Sequence, residues 1–328
     1  MHTKNLEHKV DLFLSIYTEL KNALKWKVSD KRMIMLISSM YAVNDRPFDL
    51  QRFMLVSEHI KSSVDAFNTL RSSQRFSIAA MLDIHFEDPE NVFKPYLDLY
   101  EMLIKGGFKR GMFTYIAAGV AFTGETKSSE YEVLIEKAQI IYKAMQREHM
   151  FLTTQDDYPL TILLASRNEE IPSLMESIEG FYHQLQLGGF RKGNDLQFLS
   201  HIISLNPKGD PKQLSNQCTQ IYEEVKQLWK KPKPMHYPTI GMLALCDQTQ
   251  VNMQEVIQLT NRLNMEKDFK WQEDINFMFA VHLLLSEITG DASVSSTGMM
   301  TTIEIIMQAQ QAAMIASMAA IAAVTSDG

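Results

Sequence analysis

The fold is decided by GGFKRGMFTYIAAGVA at residues 106–121 and GGFRKGNDLQFLSHII at residues 188–203, which show the same succession of residues. Two glycines precede a phenylalanine, two basic residues and a third glycine, and an aromatic residue then enters an apolar run. A glycine pair of this kind ends a helix, and the apolar residue after it folds back on the last turn. Each stretch therefore predicts the turn between two helices.

Aromatic residues recur in two rows along the chain. The first row heads an apolar run six times, at intervals of 39 to 43 residues, and a tyrosine lies 15 or 16 residues before four of its members. Two rows in constant phase indicate an internal repeat of about forty residues. The first row is Phe76, Tyr115, Tyr158, Phe198, Tyr237 and Phe277, and the second is Tyr100, Tyr142, Tyr182 and Tyr222.

The segments around the second row have a helical period. Leu214, Cys218 and Ile221 begin one apolar stripe with steps of four and three residues. Asp88 and Asp210 each precede a proline, which is typical of a helix start. No run of alternating β-branched residues predicts a strand. We expect an all-α, right-handed α-solenoid of about seven antiparallel helix pairs, with less regular units at its two ends.

Composition changes near residue 290. We expect a helical-repeat domain over 1–289, a polar linker over 290–299 and an Ala/Met-rich C-terminal helix and tail over 300–328. The last segment contains three glutamines, and its alanines are only weakly lipophilic, so we predict no membrane span. We expect it to dock on the last repeat or to mediate self-association.

Composition and charge exclude several classes of protein. The chain of 328 residues has 32 Lys and Arg against 39 Asp and Glu, so a general nucleic-acid coat is not expected. Two cysteines exclude a disulfide framework and a four-cysteine zinc site, and Cys218 and Cys246 are interpreted as buried apolar residues. No export signal is visible at the start, which predicts a cytoplasmic protein.

Motifs for catalysis are mostly missing, and no cofactor is predicted. Gly119 to Gly124 has half of a P-loop spacing, but Glu125 occupies the position of the required lysine. Asp83, His85, Glu87 and Asp88 are weak candidates for a metal site, with the end of a helix and an N-cap as the structural alternative. Capping also explains Asp156, Asp157 and Asp195.

Basic residues recur in the turn between paired helices. In a repeat array such turns align along one edge, which predicts a basic edge that binds an acidic partner. Attraction of cations to helix C-termini explains the same residues structurally. The intervening repeat has Glu148 and His149 in this turn. The candidate partner-binding residues are Lys109, Arg110, Arg191, Lys192, Lys231 and Lys233.

The chain resembles the uncharacterised bacterial family known as domain of unknown function 4003. The resemblance covers most of the chain from about residue 8, and rests on RFSIAAMLDIHFEDP, GGFKRGMFTYIAA, DDYPL, GGFRKGNDLQFLSHI and KPKPMHYPTIGMLAL. It implies a cytoplasmic bacterial protein of about this length and brings no activity, cofactor or catalytic residue.

The leading hypothesis is a non-enzymatic helical-repeat scaffold that binds a protein or peptide on its concave surface. The alternative is an enzyme, such as a metal-assisted hydrolase that uses the Asp83–Asp88 cluster or Asp156 and Asp157. A third is single-stranded RNA binding by the basic turns together with the first aromatic row.

Overall fold

The computed structural model describes residues 2–44, 46–124, 126–149, 152–206 and 210–290, and these are all-α with no strand. The linker and C-terminal helix predicted beyond residue 290 lie outside the described residues. The helices are α1 (His2–Leu24), α2 (Lys31–Val43), α3 (Leu50–Ser62), α4 (Arg75–His85), α5 (Pro89–Lys105), α6 (Met112–Thr123), α7 (Tyr131–Glu148), α8 (Tyr158–Ala165), α9 (Ile171–Leu187), α10 (Asn194–Ser204), α11 (Pro211–Leu228), α12 (Tyr237–Leu245), α13 (Met253–Met265) and α14 (Glu273–Gly290).

Each odd-numbered helix packs on the even-numbered helix that follows it, so that the helices form pair 1 (α1–α2) to pair 7 (α13–α14). The predicted glycine stops are confirmed. Gly107 and Gly189 have φ values of 102° and 94°, and the next residue, Phe108 or Phe190, is buried and donates its amide N–H to a carbonyl of the last helical turn. Asp88 and Asp210 cap α5 and α11 as predicted.

The even-numbered helices form an inner layer. All residues from Met33 to Val43, from Tyr158 to Ala165 and from Tyr237 to Leu245 are buried, so α2, α8 and α12 are covered on every face. The odd-numbered helices are buried along one stripe, as in α11. The inner helices therefore offer no exposed concave surface within the described residues, contrary to the surface that the scaffold hypothesis expected.

Tyrosines of the first aromatic row join one pair to the next. The hydroxyl of Tyr158 accepts a hydrogen bond from the amide of Lys109, and the hydroxyl of Tyr237 accepts one from the amide of Arg191 at 3.0 Å. Tyr115 makes the equivalent contact with the side chain of Asn68. Each tyrosine thus binds the turn of the preceding pair, which explains why the two features keep one phase in the sequence.

Pair 7 packs against pair 1, so the described helices close into a ring. The ammonium of Lys9 in α1 lies 3.2 Å from the carboxylate of Glu287 in α14, with only 1 % of Lys9 exposed. Phe13 contacts the ring of Phe279 in the same interface. The N-terminal pair and the last described pair are in contact rather than being separate ends of a stack. The right-handed sense of the array and its forty-residue unit stay predictions.

The Lys9–Glu287 ion pair generates a stability prediction. Replacing Lys9 by Met removes the ammonium that lies 3.2 Å from the buried carboxylate of Glu287, and breaking a buried pair in this way costs about 3–5 kcal/mol of unfolding free energy. We expect Lys9→Met combined with Glu287→Leu to recover most of that loss, because both charges of the buried pair are then replaced by apolar side chains. Urea denaturation followed by circular dichroism measures both variants.

The matched control is Arg262→Ala, which removes an exposed ion pair with Asp11 between α13 and α1. Exposed pairs contribute about 0–1 kcal/mol, so this variant should unfold near the wild-type urea concentration. Equal losses for Lys9→Met and Arg262→Ala would contradict the role given to the buried pair.

Candidate partner-binding surface

The seven connections from odd-numbered to even-numbered helices lie together at one end of the ring. Contacts join each of them to the next pair: Lys27 to Glu58, Asn68 to Tyr115, Lys109 to Tyr158, Thr153 to Gln197, Arg191 to Tyr237, Lys230 to Glu273, and Asp268 to Lys31. The last contact leads from pair 7 back to pair 1. We call this end the basic end, formed by residues 25–30, 63–74, 106–111, 149, 152–157, 188–193, 229–236 and 266–272.

The two ends differ in charge. Connections of the basic end contain 12 Lys and Arg against 6 Asp and Glu. The opposite connections, which we call the acidic end, contain 3 Lys and Arg against 8 Asp and Glu over the described residues 44, 46–49, 86–88, 124, 126–130, 166–170, 205–206, 210 and 246–252. A protein with a net charge of -7 therefore presents one positive end, which attracts anionic partners.

Within the basic end, four of the predicted residues occupy the turns of pairs 3 and 5. Lys109, Arg110, Arg191 and Lys192 are all exposed. The guanidinium of Arg110 makes two hydrogen bonds, of 2.7 and 2.8 Å, to the carboxylate of Glu101. Lys109, Arg191 and Lys192 form no ion pair with the described residues, which leaves these three charges available to a partner.

The turn of pair 6 contributes fewer available cations than the sequence predicts. Lys233 forms an ion pair with Asp274, and Lys230 lies 2.9 Å from the same carboxylate and 3.0 Å from Glu273. Both acids belong to α14 of the next pair. Lys231 is exposed and forms no ion pair within the described part of the chain. The basic edge is therefore carried mainly by pairs 3 and 5.

A row of buried polar residues supports these turns, and the sequence analysis missed it. One such residue lies directly before each aromatic residue of the first row. Asp157 accepts the amide N–H of Thr154, and the ring of His236 accepts the amide N–H of Lys233. The sequence signal that could have identified this row is the polar residue that directly precedes each aromatic residue. The row is Arg75, Thr114, Asp157, Gln197, His236 and Asn276, all buried.

The weak metal candidates do not converge on one site. The carboxylate of Asp83 binds the hydroxyl of Tyr41 at 2.6 Å and the guanidinium of Arg52. Glu87 forms an exposed ion pair with Arg46, and Asp88 caps α5. His85 is also part of this segment, and its pKa is lowered by burial. No group of three or more candidate ligands is arranged to hold a metal ion within the described ranges.

The carboxylates of pairs 4 and 5 have perturbed pKa values. Burial and the neighbouring charge of Asp156 raise the pKa of Asp157 to about 8. The pKa of Asp156 and that of Asp195 are raised mainly by burial as well. Thr154 and Asp157 form a capping box, which confirms the capping interpretation for Asp157. Its carboxylate is committed to the turn and is not placed for acid–base chemistry.

Residues proposed for other activities belong to the core. Cys218 and Cys246 are buried, and burial raises the pKa of each thiol to about 12, as expected of inert apolar residues. Phe76, Tyr115 and Tyr237 are at most 2 % exposed. Tyr158 and Phe277 are buried as well, and Phe198 is partly buried against the core, so the first aromatic row offers no continuous exposed surface on which RNA bases could stack.

The geometry defines an all-α protein built from paired helices, with one basic end. The chain belongs to the family described as Protein of unknown function (DUF4003), whose family model matches residues 16–312. It is 39 % identical over 318 residues to the protein named "Uncharacterized protein YeaA" of Bacillus subtilis (strain 168), covering 97 % of this chain and 96 % of that protein. No solved structure matches the chain. Among the described helices, none could span a membrane.

The raised pKa of Asp157 generates a pH prediction. The folded state binds a proton at this carboxyl up to about pH 8, whereas the unfolded chain releases it near pH 4. The unfolding free energy therefore falls as pH rises between these values. Asp157→Asn cannot ionise, so we expect its stability to fall less between pH 5 and pH 8, by at least about 1.4 kcal/mol.

Urea denaturation at the two pH values measures this difference, with exposed Asp65→Asn as the control. The same pH dependence in Asp157→Asn and wild type would contradict the assignment.

Proposed function

We propose that this chain is a non-enzymatic helical-repeat scaffold that binds an acidic protein or peptide through its basic end. The observation that carries the proposal is the separation of charge between the two ends of the ring. Association of a protein with an acidic partner gains rate and specificity from such complementarity. The expected partner lies on the basic edge and not on the buried inner helices.

The basic edge includes Lys109, Arg191 and Lys192 as its free cations. They lie on connections whose glycines and buried phenylalanines hold the backbone in one conformation. A partner therefore meets charges on a fixed frame, with little ordering of the main chain on binding. Arg110 contributes less than Arg191 to this surface, because Glu101 already neutralises it.

Charge reversal at Arg191 and Lys192 tests the proposal. We expect Arg191→Glu with Lys192→Glu to abolish capture of the native partner from a bacterial lysate at low salt. Wild-type capture should weaken as salt rises, because exposed charges are screened. Both side chains are exposed, so the unfolding free energy should change by about 0.5 kcal/mol or less.

Lys127→Glu with Lys212→Glu is the matched control, since it makes the same change of net charge away from the basic end. Lys127 lies in a connection of the acidic end, and Lys212 lies in the first turn of α11 next to it. Equal capture by the Arg191/Lys192 variant and the wild type would overturn the proposal. Equal loss of partner capture in both double variants would show that net charge alone governs binding. The assignment of the basic edge as the binding surface would then be wrong.

A further inference from the structure

Three aromatic side chains on the basic end are almost completely exposed. Trp26 is 90 % exposed, Trp271 is 82 % exposed, and Phe67 reaches the exposure of a free side chain. We call these three residues the aromatic arc. The sequence analysis did not identify them, because they lie in connections outside any helical period.

The arc spans three neighbouring pairs of the ring. Trp271 lies in the connection of pair 7, Trp26 in that of pair 1, and Phe67 in that of pair 2. The connections of pairs 7 and 1 are joined through Asp268, which forms ion pairs with Lys21 and Lys31. Lys27 of pair 1 reaches Glu58 at the end of α3. The three aromatics therefore occupy one continuous sector of the basic end.

The folded structure does not depend on these side chains. A different apolar residue anchors each connection, namely Val28 in pair 1, Leu70 in pair 2 and Phe269 in pair 7, and each of these is buried. Seven of the ten exposed large apolar residues of the described chain belong to the basic end or to the last residue of the helix before it. Single exposed apolar residues are ordinary, but such a concentration marks an interaction surface.

Lysines surround the two indoles. The ammonium of Lys25 lies 5.1 Å from the ring centre of Trp26, and that of Lys270 lies 5.1 Å from the ring centre of Trp271. Lys27 and Lys267 are exposed beside them. Indoles flanked by ammonium groups suit the boundary between lipid headgroups and acyl chains, where a ring with a polar edge enters and lysine meets phosphate.

We propose that the aromatic arc docks the ring on the surface of an anionic lipid bilayer. Trp26, Phe67 and Trp271 enter the interfacial layer, and the exposed lysines beside the two indoles meet the headgroup phosphates. Contact is peripheral, since only side chains of the connections reach the lipid. Only the sector formed by pairs 7, 1 and 2 lies against the bilayer.

Charge favours a lipid surface over the other occupants of such a patch. A second copy docked on the same surface would bring two basic ends together, and like charges oppose that contact. A nucleic acid requires a dense row of cations, whereas the three connections of the arc contain 5 Lys and Arg against 4 Asp and Glu. A mixed lipid surface accepts aromatic residues with modest local charge.

This inference adds to the proposed function without using the same residues. Arg191 and Lys192 belong to pair 5, which lies across a seven-membered ring from pair 1. A ring held by its arc can therefore keep the basic edge available to a protein partner. The two proposals can fail separately, because each has its own variant.

Vesicle binding by the full chain tests the arc. The probes are large unilamellar vesicles of phosphatidylcholine with about one third phosphatidylglycerol, and vesicles of phosphatidylcholine alone. Trp229, the third tryptophan, stacks on Phe277, so Trp229→Phe leaves the arc indoles as the only tryptophan reporters. We expect their emission to shift to the blue with the anionic vesicles and the partition coefficient to fall as salt rises.

The decisive variant is Trp26→Ala with Phe67→Ala and Trp271→Ala in the wild-type background, measured by vesicle sedimentation. We expect its partition coefficient to fall at least about tenfold. The control is Leu55→Ala with Val133→Ala and Ile140→Ala, which shortens three exposed apolar residues outside the connections and should leave binding unchanged.

Failure of the wild type to bind anionic vesicles at low salt would overturn the proposal. Equal partitioning of the triple arc variant and the wild type would overturn it as well. A dimer in sedimentation velocity that disappears in the arc variant, without vesicle binding, would assign the arc to a second copy. If Arg191→Glu with Lys192→Glu loses its protein partner but still binds vesicles, both proposals stand. If the wild type captures its protein partner but does not bind vesicles, the lipid proposal is wrong and the proposed function stands.

Discussion

Contact between the first and the last described pairs is the constraint on which the rest of the structure depends. A helix pair has two apolar flanks, and only neighbouring pairs can cover both of them. In an open array, α1 and α14 would each expose one such flank, whereas here they cover each other. The interface places the ammonium of Lys9 against Glu287 in a dry environment, where an ion pair requires correct register to compensate for lost hydration. Closure therefore specifies geometry as well as burying apolar surface.

Closure also determines where a partner can bind. Inner helices such as α8 and α12 are buried on every face, so the interior of the ring is core. A partner can therefore contact only the two ends of the ring and the outer helices. Because every pair runs in the same direction around the ring, all turns that follow odd-numbered helices meet at one end. Modest numbers of lysines and arginines per turn thereby add up to a positive surface on an acidic protein.

Hydrogen bonds from buried side chains hold the turns of the basic end in place. Tyr158 and Tyr237 bind the turn of the preceding pair through their hydroxyls, while Asp157 and His236 accept amide protons of their own turns. Buried polar groups of this kind are costly unless they are paired, so each one selects a single turn conformation. The surface charges of Lys109 and Arg191 are carried on this rigid base. Trp26 and Trp271 on the same end are almost fully exposed and do not support the fold. Their exposure therefore favours a role in binding.

Much of the local structure was determined by the sequence alone. Helical period predicted α11, glycine pairs predicted the stops at Gly107 and Gly189, and Asp88 and Asp210 predicted the starts of α5 and α11. These features depend on residues within a few turns of one another, which periodicity reports directly.

The tertiary structure alone decided the closure of the ring, the pairing of Lys233 with Asp274 and the burial of Asp83 against Tyr41. Each joins residues that are about forty or more positions apart in sequence. The angle between successive pairs depends on the packing of side chains at every interface, and small angles add up around the array. No local sequence pattern gives the total of these angles. The sequence therefore predicted paired helices and a basic edge. Only the packing of the helices decided that the array closes and which charges form no ion pair.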